Sequence, residues 1–211
     1  MVAKQVFTSV AEVIEQLESG EMCLEFEGSF DLYTELLERK EVRPQFFQNK
    51  FFCCINYATT NHEILVSNAI TKLSIVYKRI NCRVLGSNRP IFVKHCDAWF
   101  RADASLLCGD DQSRKLKGKM TALLNPTIII EVHSDSTREY DYGRKLKCYK
   151  EIPSVQQIIY IESVGKPHVS LFTRTSNQNE WLNNDFHALH QAFPINGDYI
   201  SMADLYQKIV F

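Results

Sequence analysis

The stretch NPTIIIEVHSDSTREYDYGRKLKCYKEIP, from Asn125 to Pro153, decides how this chain is interpreted. It opens with the apolar run TIIIEV at 127–132, and the lack of alternation there predicts a strand covered on both faces at the middle of a sheet. The polar SDSTRE that follows predicts a turn into a helix, with Ser136 and Glu139 as a capping box. The helix must end before the proline, whose predecessor disfavours helical backbone. The stretch therefore predicts a central strand followed directly by a helix.

The sequence on either side extends this pattern into an α/β fold. Upstream, FFCCINY at 51–57 predicts a strand, and TTNHEILVSNAITKLSIVYKRI at 59–80 predicts a long helix in which Thr60 and Glu63 form a capping box. The segment 82–108 predicts short strands in a meander. A further strand follows the central helix, in VQQIIYIES. The predicted class is α/β, a mixed β-sheet flanked by helices and joined by a strand–helix–strand crossover.

Length indicates one domain with one additional segment. A chain of 211 residues with 45% apolar content can bury a single substantial core. Residues 1–50 are predicted to be a helical extension, with helices at 8–19 and 31–39, and residues 51–211 to be the main domain.

Composition and charge limit the possible partners. No window is apolar enough to span a membrane, and the N-terminus lacks the apolar region of a signal peptide, so the sequence favours the cytoplasm and no membrane contact. The net charge of −1 predicts no broad basic face for a polyanion. One local cluster, SRKLKGK at 113–119, is either a nucleic-acid contact or a solvated mobile loop, and we favour the loop.

The seven cysteines are predicted to be reduced and free of metal. Their number is odd, they contain no C-x-x-C, and most lie in apolar runs that resemble strands. The sequence therefore predicts no disulfide and no zinc site.

A carboxylate on the central strand predicts chemistry. Burying Glu131 unpaired would cost several kcal/mol, so it needs a cation or an exposed strand end. On the following helix, Asp141, Lys145 and Tyr149 recur every four residues and share one stripe. Because a short turn folds this helix back on its strand, Lys145 can approach Glu131. The alternative is an ordinary surface pair between Asp141 and Lys145.

A second acid favours a metal site. Asp103 opens the run DASLLC, and if its strand lies beside that of Glu131, the two carboxylates meet at one edge. Two carboxylates with a nearby lysine suit Mg²⁺, which keeps waters and lets a substrate phosphate complete its coordination. Lys145 would then orient or deprotonate the attacking water.

These motifs resemble a known family. The matching segments cover roughly residues 60–208, and they are NHEILVSNAITKL, RADASLL, the stretch quoted first, VQQIIYIES, HVSLFTR and SMADLYQKI. In this order they resemble the Uma-two family of restriction-endonuclease-like proteins, a branch of the PD-(D/E)XK nuclease superfamily. The resemblance implies an endonuclease that hydrolyses DNA phosphodiester bonds with Mg²⁺, or alternatively Mn²⁺, in a single restriction-endonuclease-like domain. By analogy it also implies a homodimer.

The resemblance assigns roles to individual residues. Asp103 and Glu131 match the two acids, with the Val132 carbonyl as a further metal ligand, and Lys145 matches the lysine that this branch takes from the helix. Asp141 and Tyr149 would support that lysine. His62 matches a histidine near the site, for which a local backbone contact is the alternative.

Two positions depart from the usual pattern. His133 stands where the superfamily usually has lysine, and it could be a spare ligand, a proton carrier or a satisfied polar residue, which we favour. Gly143 costs about 1 kcal/mol inside a helix, so that turn is expected to be irregular.

Two other functions remain open. A non-catalytic homodimeric binding or assembly protein that keeps the fold is consistent with the near-neutral charge and with the lack of a recognisable DNA-reading helix. A nuclease acting on RNA would use the same residues.

Overall fold

A computed structural model describes residues 6–20, 22–55, 57–78, 81–133, 138–177 and 180–211. The predicted capping box of Ser136 with Glu139 falls outside this part of the chain, because residues 134–137 are not among those described. The helices are α1 (Val10–Glu18), α2 (Phe30–Leu36), α3 (Thr60–Val76), α4 (Arg138–Tyr140), α5 (Leu146–Lys150) and α6 (Met202–Leu205). A 3₁₀ turn covers Lys94–Cys96, and a π-helical segment, Asp141–Lys145, joins α4 to α5.

The strands lie between these helices throughout the chain. They are β1 (Cys23–Glu27), β2 (Val42–Phe47), β3 (Lys50–Ile55), β4 (Cys82–Gly86), β5 (Ile91–Val93), β6 (Ala98–Phe100), β7 (Ala104–Cys108), β8 (Ser113–Lys117), β9 (Met120–Leu123), β10 (Ile128–His133), β11 (Gln157–Glu162), β12 (Val169–Arg174), β13 (Trp181–Phe186), β14 (Ala192–Ile195) and β15 (Asp198–Ser201).

A six-stranded mixed sheet carries the central strand. Its order is β13-β12-β11-β10-β7-β4, with β10 parallel to β11 and antiparallel to β7. The parallel pair is joined through the helix at 138–150, so the predicted mixed sheet and crossover are confirmed. All six residues of β10 are buried, as its unbroken apolar run indicated.

A second sheet changes the predicted topology. Its order is β1-β3-β2-β6-β5-β9-β8, so β5 and β6 belong to it while β4 and β7 pair in the sheet of β10. The predicted meander over 82–108 is therefore wrong, because the chain crosses between sheets twice in this region. The predicted loop SRKLKGK is also wrong, since Ser113–Lys117 pairs with Met120–Leu123 as a β-hairpin.

The first fifty residues contribute strands as well as helices. Strand β1 pairs with β3, and β2 pairs with both β3 and β6. The prediction for residues 1–50 included only helices. In CLEFE the alternation of Leu24 and Phe26 with two glutamates was a strand signal that this prediction overlooked, whereas VRPQFF shows no such alternation. A domain boundary at residue 50 stays a prediction.

Helix α3 and the α4–α5 helix cover opposite faces of the β10 sheet. Leu65, Ala69 and Leu73 of α3 lie in one core with Ile128 and Ile130, whereas Tyr149 and Cys148 lie in another with Ile129. Side chains on a strand alternate between faces, so β10 serves both cores. The N-cap of helix α3 is Thr59, whose side chain accepts from the His62 N–H, so the predicted capping box of Thr60 with Glu63 is wrong.

Three disulfides correct the prediction of reduced cysteines. Cys23 is bonded to Cys54, Cys82 to Cys108 and Cys96 to Cys148, while Cys53 is free and buried. The first two pairs lie directly opposite each other on antiparallel neighbours, β1 with β3 and β4 with β7. Sequence spacing could not reveal these pairs, because strand register decides them.

Candidate active site

Adjacent strands bring the two predicted acids together. Ile130 of β10 is paired with Ala104 of β7, so the residues one step further along, Glu131 and Asp103, lie at the same end of the pair. Oδ2 of Asp103 accepts from the Val132 N–H at 2.8 Å. The N–H and C=O of one strand residue point to the same side, so the Val132 carbonyl also faces the strand that leads to Asp103.

Glu131 is fully enclosed and is held by the helix. It is 2% exposed, and its Oε1 accepts from Lys145 Nζ at 2.9 Å and from the Tyr149 hydroxyl at 2.7 Å. Among the described residues no hydrogen bond goes to Oε2. Burial, with the nearby charges of Asp141 and Asp103, raises the pKa of Glu131 to about 8, although Lys145 acts in the opposite direction.

The π-helical segment presents Lys145 to two carboxylates. Its Nζ lies 2.9 Å from Glu131 Oε1 and 3.0 Å from Asp141 Oδ1. Burial alone would lower the pKa of Lys145, but Asp141 and Glu131 raise it above its ordinary value. Gly143 lies inside this segment, so the expected irregular turn is confirmed. Single π turns within α-helices are frequent at functional sites.

Asp103 has cationic partners of its own. Arg43 Nη2 donates to its Oδ1 at 3.1 Å, and His62 Nε2 lies 3.5 Å from its Oδ2. Burial would raise the pKa of Asp103, but His62, Arg43 and the Val132 N–H hold it well below the ordinary value. Burial lowers the pKa of His62, and its hydrogen bond to Asp103 outweighs that effect and raises it.

Arg43 was not identified from the sequence. It lies on β2, in the segment predicted to be helical, 60 residues from its partner. The sequence did contain a signal for it. Arg43 is the single cation in the mostly apolar run VRPQFF, and like Glu131 it needs an oppositely charged partner if it is buried.

His133 completes the buried group. Its Nδ1 lies 3.1 Å from Asp141 Oδ2, and it is 1% exposed. Its ring stacks on Tyr142 and meets the edge of Tyr160. The preferred interpretation, a satisfied polar residue, fits Nδ1 alone, because Nε2 is buried and has no hydrogen-bond partner among the described residues.

The charged residues line a cavity of about 140 Å³, which has room for several waters or a hydrated ion. Its walls include Arg43, Arg101, Asp103, Glu131 and Lys145. The predicted residues His62, Val132 and Asp141 also line it, and Tyr149 supports it from behind through Glu131. The structure thus brings all the predicted site residues together.

The donor set fits a hard divalent cation. Among the described residues, no three or more His, Cys, Asp or Glu side chains form a group that could hold a metal, so a closed zinc-type site is not present there. Mg²⁺ needs fewer protein ligands than zinc, because one or two carboxylates, together with waters and substrate phosphates, complete its coordination. Asp103, Glu131 and the Val132 carbonyl offer that set of oxygen atoms.

Comparisons with known proteins agree with the fold. The crystal structure of a "putative nuclease belonging to DUF820" from Anabaena variabilis aligns with a TM-score of 0.68, covering 87% of this chain and 99% of that one at 16% identity. Two uncharacterised proteins of Synechocystis sp., slr1290 and sll1609, are 23% and 24% identical to this chain. Their matches cover 71% and 61% of this chain and 75% and 72% of those proteins.

A family model covers most of the chain. It bears the description "Putative restriction endonuclease" and matches residues 30–196, a range that includes Arg43 and every predicted site residue. The chain therefore belongs to the Uma2 family of proteins described as putative restriction endonucleases.

Proposed function

We propose that this protein is a Mg²⁺-dependent endonuclease that hydrolyses phosphodiester bonds in DNA, with Mn²⁺ as an alternative ion. One observation carries the proposal: two acids 28 positions apart and a lysine from the next helix converge on a single cavity. Family membership supports nuclease chemistry in general. The metal, the DNA substrate and the residue roles are parts of the proposal.

In this proposal Asp103, Glu131 and the Val132 carbonyl hold the metal. A bound Mg²⁺ would polarise the phosphate and favour ionisation of a water. Glu131 can offer Oε2, since its described hydrogen bonds both use Oε1. Asp103 must share Oδ1 with Arg43 or release it, and the freed guanidinium would then face the incoming phosphate.

Lys145 acts as a cation in this site. The sequence left two roles open, orientation and deprotonation of the attacking water. Because two carboxylates raise its pKa, Lys145 keeps its proton near neutral pH, which supports orientation and charge stabilisation. Tyr149 and Asp141 position it, the first by sharing Glu131 Oε1 and the second through its ion pair.

A nicking assay tests the proposal. Supercoiled plasmid is incubated with the protein and Mg²⁺, Mn²⁺ or EDTA, and the Glu131→Gln and Asp103→Asn variants should lose at least about a hundredfold in rate. Glu162→Gln is the matched control: Glu162 is also buried and paired with a cation, Arg138, but it does not line the cavity. Cleavage that persists in EDTA, or in both cavity variants, would refute the assignment.

A non-catalytic binding or assembly protein is the second candidate. Arg43 and Lys145 are already paired with the two acids, and this internal pairing supports a structural role for the cluster. Such a protein would bind its partner equally well with and without a divalent ion, and Glu131→Gln would leave binding unchanged. Substituting RNA for the plasmid separates a ribonuclease from both.

The proposal includes a homodimer, which light scattering of the pure protein tests, and a cytoplasmic location. Among the described residues no helix combines the length and apolar character needed to cross a bilayer. The three disulfides count against a reducing cytoplasm, because such bonds persist mainly in oxidising compartments. Alkylating free thiols in intact cells would show whether these cysteines are reduced or disulfide-bonded in the compartment where the protein works.

A further inference from the structure

Within the part of the chain that the structure describes, the His133 side chain is linked to the candidate site by its contact with Asp141. Among the described residues, Asp141 Oδ1 lies 3.0 Å from Lys145 Nζ as an ion pair without a hydrogen bond, and Oδ2 lies 3.1 Å from His133 Nδ1. A carboxylate can only accept, so Nδ1 carries the hydrogen of this bond. The side chains therefore form a continuous buried series from Tyr149 through Glu131, Lys145 and Asp141 to His133.

The imidazole is rigidly seated. Its ring centroid lies 4.8 Å from that of Tyr142 in a stacked contact and 4.5 Å from that of Tyr160 in an edge contact. The Ser163 hydroxyl and N–H both donate to the His133 backbone carbonyl. Tyr160 in turn donates to the Asp141 carbonyl at 2.9 Å. Backbone and ring are thus held from several elements.

We propose that His133 is a positioning residue, which holds Asp141 so that the ammonium group of Lys145 stays fixed against Glu131. The inference rests on the proposed function, because its main consequence is a change in cleavage rate. The π-helical segment explains why Asp141 needs a second partner that fixes its position. Asp141 and Lys145 lie at the two ends of this irregular turn, and without His133 the Oδ2 atom would lose its partner inside the protein.

The interaction can be removed cleanly. Nε2 of His133 is buried and has no hydrogen-bond partner in the part of the chain that the structure describes. Replacing the ring therefore breaks one described side-chain bond, the one to Asp141. His133→Leu replaces the imidazole between the two tyrosines with an apolar side chain that cannot bond Asp141, and His133→Asn places an amide N–H close to the position of Nδ1.

Steady-state cleavage gives the first test. His133→Leu should lower kcat about 10- to 100-fold and leave KM for DNA within about twofold of wild type, the size expected when a supporting hydrogen bond is lost. His133→Asn should recover part of kcat, and it also serves if the leucine variant does not fold. An unchanged kcat in a folded His133→Leu protein would overturn the proposal.

A double-mutant cycle separates positioning from general packing. If His133 acts through Asp141, then His133→Leu should cost nothing more in the Asp141→Asn background. Equal losses in both backgrounds would overturn the proposal. His168→Leu is the matched control, since His168 Nε2 also pairs with an aspartate, Asp185, at 3.2 Å and stacks on His187, away from the cavity. Its kcat should equal that of wild type.

An NMR measurement works without cleavage. The buried Lys145 ammonium should exchange slowly with water and give its own ¹⁵N signal, which His133→Leu should weaken and His168→Leu should leave unchanged. If the wild-type protein cleaves nothing but this pattern holds, the proposed function fails and the positioning role stands. If the Lys145 signal is the same in His133→Leu as in wild type, the positioning role fails.

Discussion

Removing the charge of Glu131 should stabilise the metal-free protein at high pH. The carboxyl is enclosed, and its pKa rises from the ordinary 4.5 to about 8. The folded state therefore binds the proton more tightly than the unfolded state, so stability is fully present below pH 4.5 and is lost as pH rises through 8. Glu131→Gln keeps a similar shape and oxygen but cannot ionise.

The structure sets the size of this effect. At about 1.4 kcal/mol per pH unit, a rise in the pKa from 4.5 to about 8 corresponds to several kcal/mol once ionisation is complete. Between pH 5 and pH 9 the wild type should lose about 4 kcal/mol of unfolding free energy relative to Glu131→Gln. Net stabilities are about 5–15 kcal/mol, so the difference is readily measured.

Urea unfolding in EDTA at pH 5, 7 and 9 measures the difference, since all other titrating groups are common to both proteins. Saturating Mg²⁺ should then restore the wild type at pH 9, because an ion that binds only the folded, ionised site stabilises it. A gap between the two proteins that stays within about 1 kcal/mol from pH 5 to pH 9 would refute the reasoning. It would mean that Lys145 compensates fully for the burial of Glu131.

Three other outcomes are expected. Lys145→Met should abolish nicking and cost about 3–5 kcal/mol in urea unfolding, because Glu131 and Asp141 lose their shared cation; an unchanged midpoint would contradict the buried ion pairs. Below pH 8 the Mg²⁺ concentration for half-maximal nicking should rise about tenfold per pH unit, because a protonated Glu131 cannot bind the ion, and a flat profile would remove Glu131 from the metal site. Thiol titration should count no reactive cysteine in the native protein, one after unfolding and seven after reduction, and a count of seven without reductant would exclude the disulfides.

The core of the candidate site could be predicted because short-range rules define it. Strand alternation showed that Glu131 needs a partner, and helical spacing placed Lys145, Asp141 and Tyr149 on one stripe. The crossover connection then brought that stripe to the strand. Asp103 required only the further assumption that its strand is a neighbour of β10, which the structure confirms.

The remaining features depend on long-range register, which the sequence does not display. Arg43 reaches Asp103 from β2, and the cysteine pairs depend on which residues oppose each other across β1 and β3 or β4 and β7. The two-sheet arrangement was missed because strands only three residues long, such as β5 and β6, look alike in either sheet. Such assignments depend on tertiary packing and not on local pattern.

Because cationic side chains contact Asp103 and Glu131, this fold does not need a bound metal ion in order to form, unlike many small metalloproteins. A zinc finger collapses when a chelator removes its ion, because the ion supplies the energy of folding. Here Arg43 and Lys145 supply cationic partners from within the polypeptide, and below pH 8 Glu131 also holds a proton, so its burial does not depend on a metal ion. Near neutral pH the chain should therefore stay folded without a divalent ion. The ion concentration would then control the activity of the protein and not its folding.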